Sequence, residues 1–177
     1  YLVCKETRPY RVLFASLATF FAAFFSGDTN LTLALAMRHN RESLGIKRRS
    51  TSTVTPLFAI FSRAGSALVV AISFIVIFRS YNALNISFSD VVWVAGFAVI
   101  SSFFLGALPT GSTFIALTVL CASYGRGFEA GYLLLKPIAF ILCSFAAALD
   151  SLTMIFGTYI VSQKMKTTER QEIKYFI

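Results

Sequence analysis

Four apolar stretches make up most of this chain, and two of them are cut near the middle by a short run of small and polar residues. An α-helix needs about 20 residues to cross a hydrocarbon core about 30 Å thick, and irregular backbone at that depth survives only inside protein or beside a water-filled cavity. Alternation of broken and unbroken stretches therefore leaves few folds open. The first stretch, residues 12–37, is interrupted by Ser26, Gly27, Asp28, Thr29 and Asn30, and the half after the interruption is too short to span. Arg8 and Arg11 precede it while Arg38 and Arg41 follow it. Because cationic flanks stay on the cytoplasmic side, a re-entrant hairpin that returns to its own side fits better than a single crossing.

A basic loop, residues 38–49, leads to residues 54–78, which are long enough to cross, with Pro56 near the start and Arg63 inside. After a polar connector, residues 79–90, a second interrupted stretch runs over 91–121, divided by Gly106, Pro109, Thr110, Gly111, Ser112 and Thr113. A short loop, 124–129, precedes a final apolar stretch of 30 residues, 132–161, which contains Lys136, Pro137 and Asp150. Such a helix would reach about 45 Å, so a tilt or break near Pro137 is expected.

The order hairpin, span, hairpin, span requires two inverted units, since a hairpin returns and a span crosses, and inverted repeats with broken elements are the architecture of secondary transporters. Two plain helices in place of each hairpin are the alternative. The expected fold is an all-α membrane protein organised as 1–53 (first hairpin and basic loop), 54–90 (first transmembrane helix and connector), 91–130 (second hairpin and loop), 131–161 (final transmembrane helix) and 162–177 (cytoplasmic tail). Twelve cations, Lys5, Arg8, Arg11, Arg38, Arg41, Lys47, Arg48, Arg49, Lys164, Lys166, Arg170 and Lys174, fall on one side of this topology and three, Arg79, Arg126 and Lys136, on the other. The bias puts the tail and the first hairpin in the cytoplasm and the second hairpin outside.

Composition excludes the other classes. Hydrophobic residues make up 56% and charged residues 14% of the 177, against roughly 25% charged in a soluble domain. The net charge of +8 is explained by topology, so nucleic acid is not an expected partner. Cys4, Cys121 and Cys143 are odd in number and far apart, and His39 has no Cys or carboxylate cluster around it; disulfide, zinc and hydrolytic chemistry lack their parts. An enzyme is not expected. The chain starts at Tyr1 without Met and shows no signal peptide ahead of its first apolar block, so it is read either as a fragment of a longer product or as a truncated, inactive one.

In this order of elements the residues resemble the dicarboxylate/amino acid:cation symporters, which include bacterial glutamate and aspartate carriers. Pro9-Tyr10-Arg11 through Ala23-Phe24 is similar to the family's entry into its first hairpin, whose Ser-Ser-Ser tip falls on Gly27, Asp28 and Thr29, followed by Thr32-Leu33 and Arg38. The same register sets the Asn-Met-Asp-Gly-Thr segment on Ser62, Arg63, Ala64, Gly65 and Ser66. Residues 102–109 are similar to the Ser-Ile-Gly-x-Ala-Gly-x-Pro of the second hairpin, and Gly157-Thr158-Tyr159-Ile160-Val161 to the closing Gly-x-Gly-Ile-Val. The resemblance implies a homotrimer assembled through a preceding scaffold half that this chain lacks, and an elevator movement of this core.

The departures from the family bear on function. Its substrate-binding Asp and Arg correspond to Cys143 and Ala146, its final-helix Asn to Asp150 and its cation-binding Asp to Met154; in the first span its cation-binding Asn and Asp have become Ser62 and Ala64. By resemblance the cation-site positions are Ser62, Gly65, Ser66 and Asp150, so sodium coupling is not expected to carry over intact. Na+ and H+ remain the coupling ions to weigh, and no cofactor is expected.

Arg63, about 15 Å into its span by helical rise, is a functional residue by default, because charge at that depth is costly. Three roles are open: a fixed cation where the family binds sodium, a bidentate partner for a solute carboxylate, or a structural pair with Asp150 or Asp28. Asp150 is either a proton carrier or that pair's carboxylate. Asp28 and Thr29, beside free half-helix N–H groups, suit polar ligand capture, and the carboxylate there favours a neutral or cationic solute. Gly106, Pro109 and Gly111 fit a gating tip or a plain turn. The solute-binding candidates are Asp28, Thr29, Arg63, Pro109, Gly111 and Asp150. These features point to an inner-membrane, multi-pass secondary transporter of a small organic solute, such as an amino acid or dicarboxylate; the alternative is a degenerate relative with a structural or sensing role.

Overall fold

The computed structural model describes residues 9–81, 87–107, 111–125 and 127–168, whose regular elements are all helices, with one isolated antiparallel bridge, Ile46 to Thr168, and no β-strand among them. Pro109, Arg126 and the chain before 9 and after 168 lie outside the described residues. Helix α1 (Pro9–Ser26) starts on a proline, whose missing N–H costs nothing in a first turn. It ends where Gly27 turns at φ +65 while donating its N–H to Ala23 O at 2.9 Å. Asp28 then caps α2 (Thr29–Glu42) by accepting the Asn30 N–H at 2.8 Å. Replacing Asp28 with Ala is expected to cost about 1 kcal/mol, the usual worth of an N-cap, read as a small drop in unfolding temperature.

The basic loop is shorter than charge alone predicts. Helix α3 (Arg48–Phe61) already begins inside it, which puts Pro56 in mid-helix rather than near a start. Its polar residues form a helix because their hydroxyls are satisfied within the fold: Asn40 Nδ2 donates to Thr55 Oγ1 at 3.3 Å, Thr158 Oγ1 reaches the same oxygen at 3.4 Å, and Ser50, Thr51 and Thr55 are buried. The stretch expected to be one unbroken span is interrupted. Ser62 leaves helical geometry (φ −109, ψ 69), and α4 (Ala64–Tyr81) starts afresh two residues later.

The second interrupted stretch comprises α5 (Phe88–Phe104), a 3-10 turn (Leu105–Ala107) and α6 (Ser112–Tyr124). The final stretch opens as a 3-10 helix (Gly131–Ile138) and becomes α-helical in α7 (Ala139–Lys164), two residues after Pro137. Two helical segments, Arg48–Tyr81 and Gly131–Lys164, are long and apolar enough to cross a membrane.

Packing separates the molecule into two apolar cores. Helices α1, α2 and α3 pack on α7, while α5 and α6 pack on α4. One core joins Val70, Phe74 and Ile77 of α4 to Leu117 and Leu120 of α6; the other joins Val12 and Ala15 of α1 to Ala59 of α3 and to Met154 and Ile155 of α7. Large apolar side chains such as Phe14, Phe21, Val99, Phe103 and Phe140 stay exposed. A surface of that kind suits hydrocarbon or further protein rather than water.

Candidate functional site

The interruption between α3 and α4 is where polar groups converge. A helix end exposes carbonyls that attract cations, and a helix start exposes N–H groups that attract anions. Here both ends are served by charged side chains. Arg63, 5% exposed, turns back to donate its Nε–H to Ala59 O of the preceding helix at 3.2 Å. Asp150, 1% exposed, accepts the Ser66 N–H from the first turn of α4 at 2.9 Å on Oδ1 and the Ser66 hydroxyl on Oδ2. The guanidinium and the carboxylate then meet at 3.7 Å between Nη1 and Oδ2.

Four separate parts of the chain reach this pair. Arg63 Nη1 also donates to Thr29 Oγ1, in the first turn of α2, at 3.3 Å. Thr113, in the first turn of α6, donates to Ser66 Oγ at 3.4 Å, so a relay runs Thr113, Ser66, Asp150. Thr153 shares its hydroxyl proton between Ser62 O at 3.2 Å and Asp150 O at 2.9 Å, fixing the irregular residue to α7. Gly65 permits the approach: a Cβ there would lie 2.6 Å from Asp150 N and 2.7 Å from Leu149 C, with the Leu149 Cβ closer still.

Of the residues singled out from sequence, Thr29, Ser62, Arg63, Gly65, Ser66 and Asp150 come together here. Asp28 does not: half-buried, it serves its own helix, and Thr29 is the residue that reaches the guanidinium. Gly111 caps α6 in the left-handed region at φ +84, two residues before Thr113, and Pro109 is outside the described residues. Thr113 and Thr153 are additional members. Thr153 lies three residues after Asp150 and so shares its helical face, a signal the spacing carried. Ser144 on α7 is also buried, its hydroxyl without a hydrogen-bond partner among the described residues, about 3.8 Å from where a Cβ on Gly27 would sit. Ala146 and Met154, the positions that the sequence resemblance sets against the family's ligand residues, are fully buried.

Helix–break–helix elements meeting at a buried polar layer, between helices long enough to cross a bilayer, are an arrangement that secondary transporters use. The family model described as the sodium:dicarboxylate symporter family matches residues 1–164, and the chain belongs to that family. It is 31% identical over 125 residues to an excitatory amino acid transporter of Onchocerca volvulus, which covers 69% of this chain and 25% of that protein. An excitatory amino acid transporter of Caenorhabditis elegans is 28% identical over 122 residues (69% and 24%), and excitatory amino acid transporter 3 of Mus musculus 22% over 166 residues (94% and 31%). The chain thus spans a quarter to a third of the length of these relatives.

Proposed function

We propose that the protein carrying this chain is a secondary active transporter of a small organic solute, an amino acid or a dicarboxylate, and that this chain is its solute-carrying core. The observation that carries the reading is the convergence of Thr29, Arg63, Ser66, Thr113 and Asp150: α2, α4 and α6 begin and α3 ends at the layer that Asp150 reaches from the middle of α7. A solute bound there touches every moving part at once. The elements 9–42 and 88–124 act as re-entrant hairpins in inverted units, and the core travels as an elevator against a scaffold half in a homotrimer. Support for a cytoplasmic C-terminus comes from the link between the basic segment and the end of α7, where Lys47 N–H donates to Thr167 O at 3.0 Å. Two segments joined by backbone hydrogen bonds lie on one face of the membrane.

A second reading, a relative without transport activity, has its own support: Arg63 and Asp150 neutralise each other, and Cys143 and Ala146 stand where the family's substrate-binding Asp and Arg fall. Thermal unfolding of the intact protein with L-aspartate, L-glutamate, succinate, L-alanine and L-arginine, followed by uptake into proteoliposomes, separates the two. A solute that binds the native state must raise its stability by mass action. The expected result is a shift with one chemical class, lost in Asp150→Asn, and uptake of that class; no shift and no uptake across the set would establish the non-transporting reading.

A further inference from the structure

We propose that Arg63 is a built-in cation, its guanidinium taking the place of a dissociable sodium ion at the α3–α4 break, so that the transport cycle of this protein is independent of Na+. The inference rests on the transporter reading and concerns how its site is charged. Ala59 O, Thr29 Oγ1 and Asp150 Oδ2 converge from three elements, a carbonyl, a hydroxyl and one carboxylate. Hard oxygen donors of these kinds are what a hard metal cation takes. Here they converge on Nε and Nη1 of Arg63 instead. The residues present therefore do not fit a sodium ion: their cation is covalently attached.

Charge reinforces the point. Among the described residues Asp150 is the one carboxylate bonded to this cluster, and its charge is already paired with Arg63. A second cation entering beside a buried guanidinium would meet like charge in a weakly screening interior. Nor can the first one leave, because a guanidinium stays protonated in proteins and Arg63 is fixed to the backbone at the break itself. The role that an ion performs by binding and dissociating, bridging the end of α3 to α2 and α7, is performed here permanently.

The test is thermal unfolding of the purified intact protein in a titration of sodium chloride, with choline chloride at matched ionic strength as reference. The unsubstituted protein is expected to respond to the two salts alike. Arg63→Met leaves the three oxygens without a cation; it is expected to unfold at a lower temperature in choline and to regain several degrees, saturably, in sodium. Arg63→Lys, which keeps a tethered charge, is expected to remain indifferent to sodium. Should Arg63→Met fail to fold, Arg63→Gln carries the same comparison. Saturable stabilisation of the unsubstituted protein by sodium overturns the proposal, and so does a neutral variant that sodium does not rescue. The solute set in both salts keeps the readings apart: absence of any solute shift counts against transport, whereas the sodium contrast alone decides the role of Arg63.

Discussion

Replacing Asp150 with Leu is expected to destabilise the protein by about 3–5 kcal/mol, the cost of leaving one member of a buried ion pair uncompensated. The loss is not that of an average salt bridge. At 3.7 Å the charges are farther apart than a charge-assisted hydrogen bond of about 2.7–2.9 Å, so direct bonding supplies only part of the effect. The remainder is desolvation: Arg63 is 5% exposed, and with Asp150 gone its neighbours are a carbonyl and a hydroxyl, which carry no charge. Ser66 would lose the acceptor of both its N–H and its hydroxyl at the start of α4. The double variant Arg63→Met with Asp150→Leu removes both charges and should recover most of the stability, because well-packed apolar residues often replace a buried pair at little cost. Thermal or denaturant unfolding of the four proteins gives the coupling directly. A single Asp150→Leu variant within about 0.5 kcal/mol of the parent would mean that the guanidinium finds water or another anion and that the pair does not organise the site.

That pair marks how far the sequence could be read. The interruptions around Gly27-Asp28 and around Gly111 stand out because several small or polar residues follow one another inside apolar runs, a local signal. The break at Ser62 lies in a run of the same kind, Ser62, Arg63, Gly65 and Ser66 around one alanine, but residues 54–78 are long enough to read as one continuous span. Tertiary contacts hold the break open. Thr153 holds the Ser62 carbonyl from 91 residues away, and Arg63 turns back onto Ala59 O, so the backbone groups released by the break find partners. The early start of α3 was hidden for the same reason. Arg48, Arg49, Ser50 and Thr51 look like a solvated loop, and only burial of Thr51 and Thr55 beside α2 and α7 makes a helix there favourable. Arg63 and Asp150 were legible individually as charges inside apolar stretches, and their partnership was one of several open roles. Thr113 was visible only as part of a polar tip, because its link to Ser66 spans 47 residues.

Gly65→Ala is expected to cost about 2–3 kcal/mol and to weaken solute binding, although it adds only a methyl group. A Cβ at that position would fall 2.6 Å from Asp150 N and 2.7 Å from Leu149 C, and these are backbone atoms of α7 that cannot rotate away. Relief requires α4 and α7 to separate, and overpacking of this kind costs about 1–3 kcal/mol before any hydrogen bond is counted. Separation also draws the Ser66 N–H away from the carboxylate it meets at 2.9 Å, loosening the part of the site that orients Asp150. The effect is specific to the position rather than to glycine. Gly96, within α5, has nothing within 4 Å of where its Cβ would be, and Gly96→Ala should be neutral or stabilising by up to about 1 kcal/mol through lower backbone entropy in the unfolded chain. Unfolding temperatures of the two variants, measured side by side, test the argument: equal stability would mean that the helices are not held in contact at Gly65, and the close approach that delivers Ser66 to Asp150 would have to be abandoned.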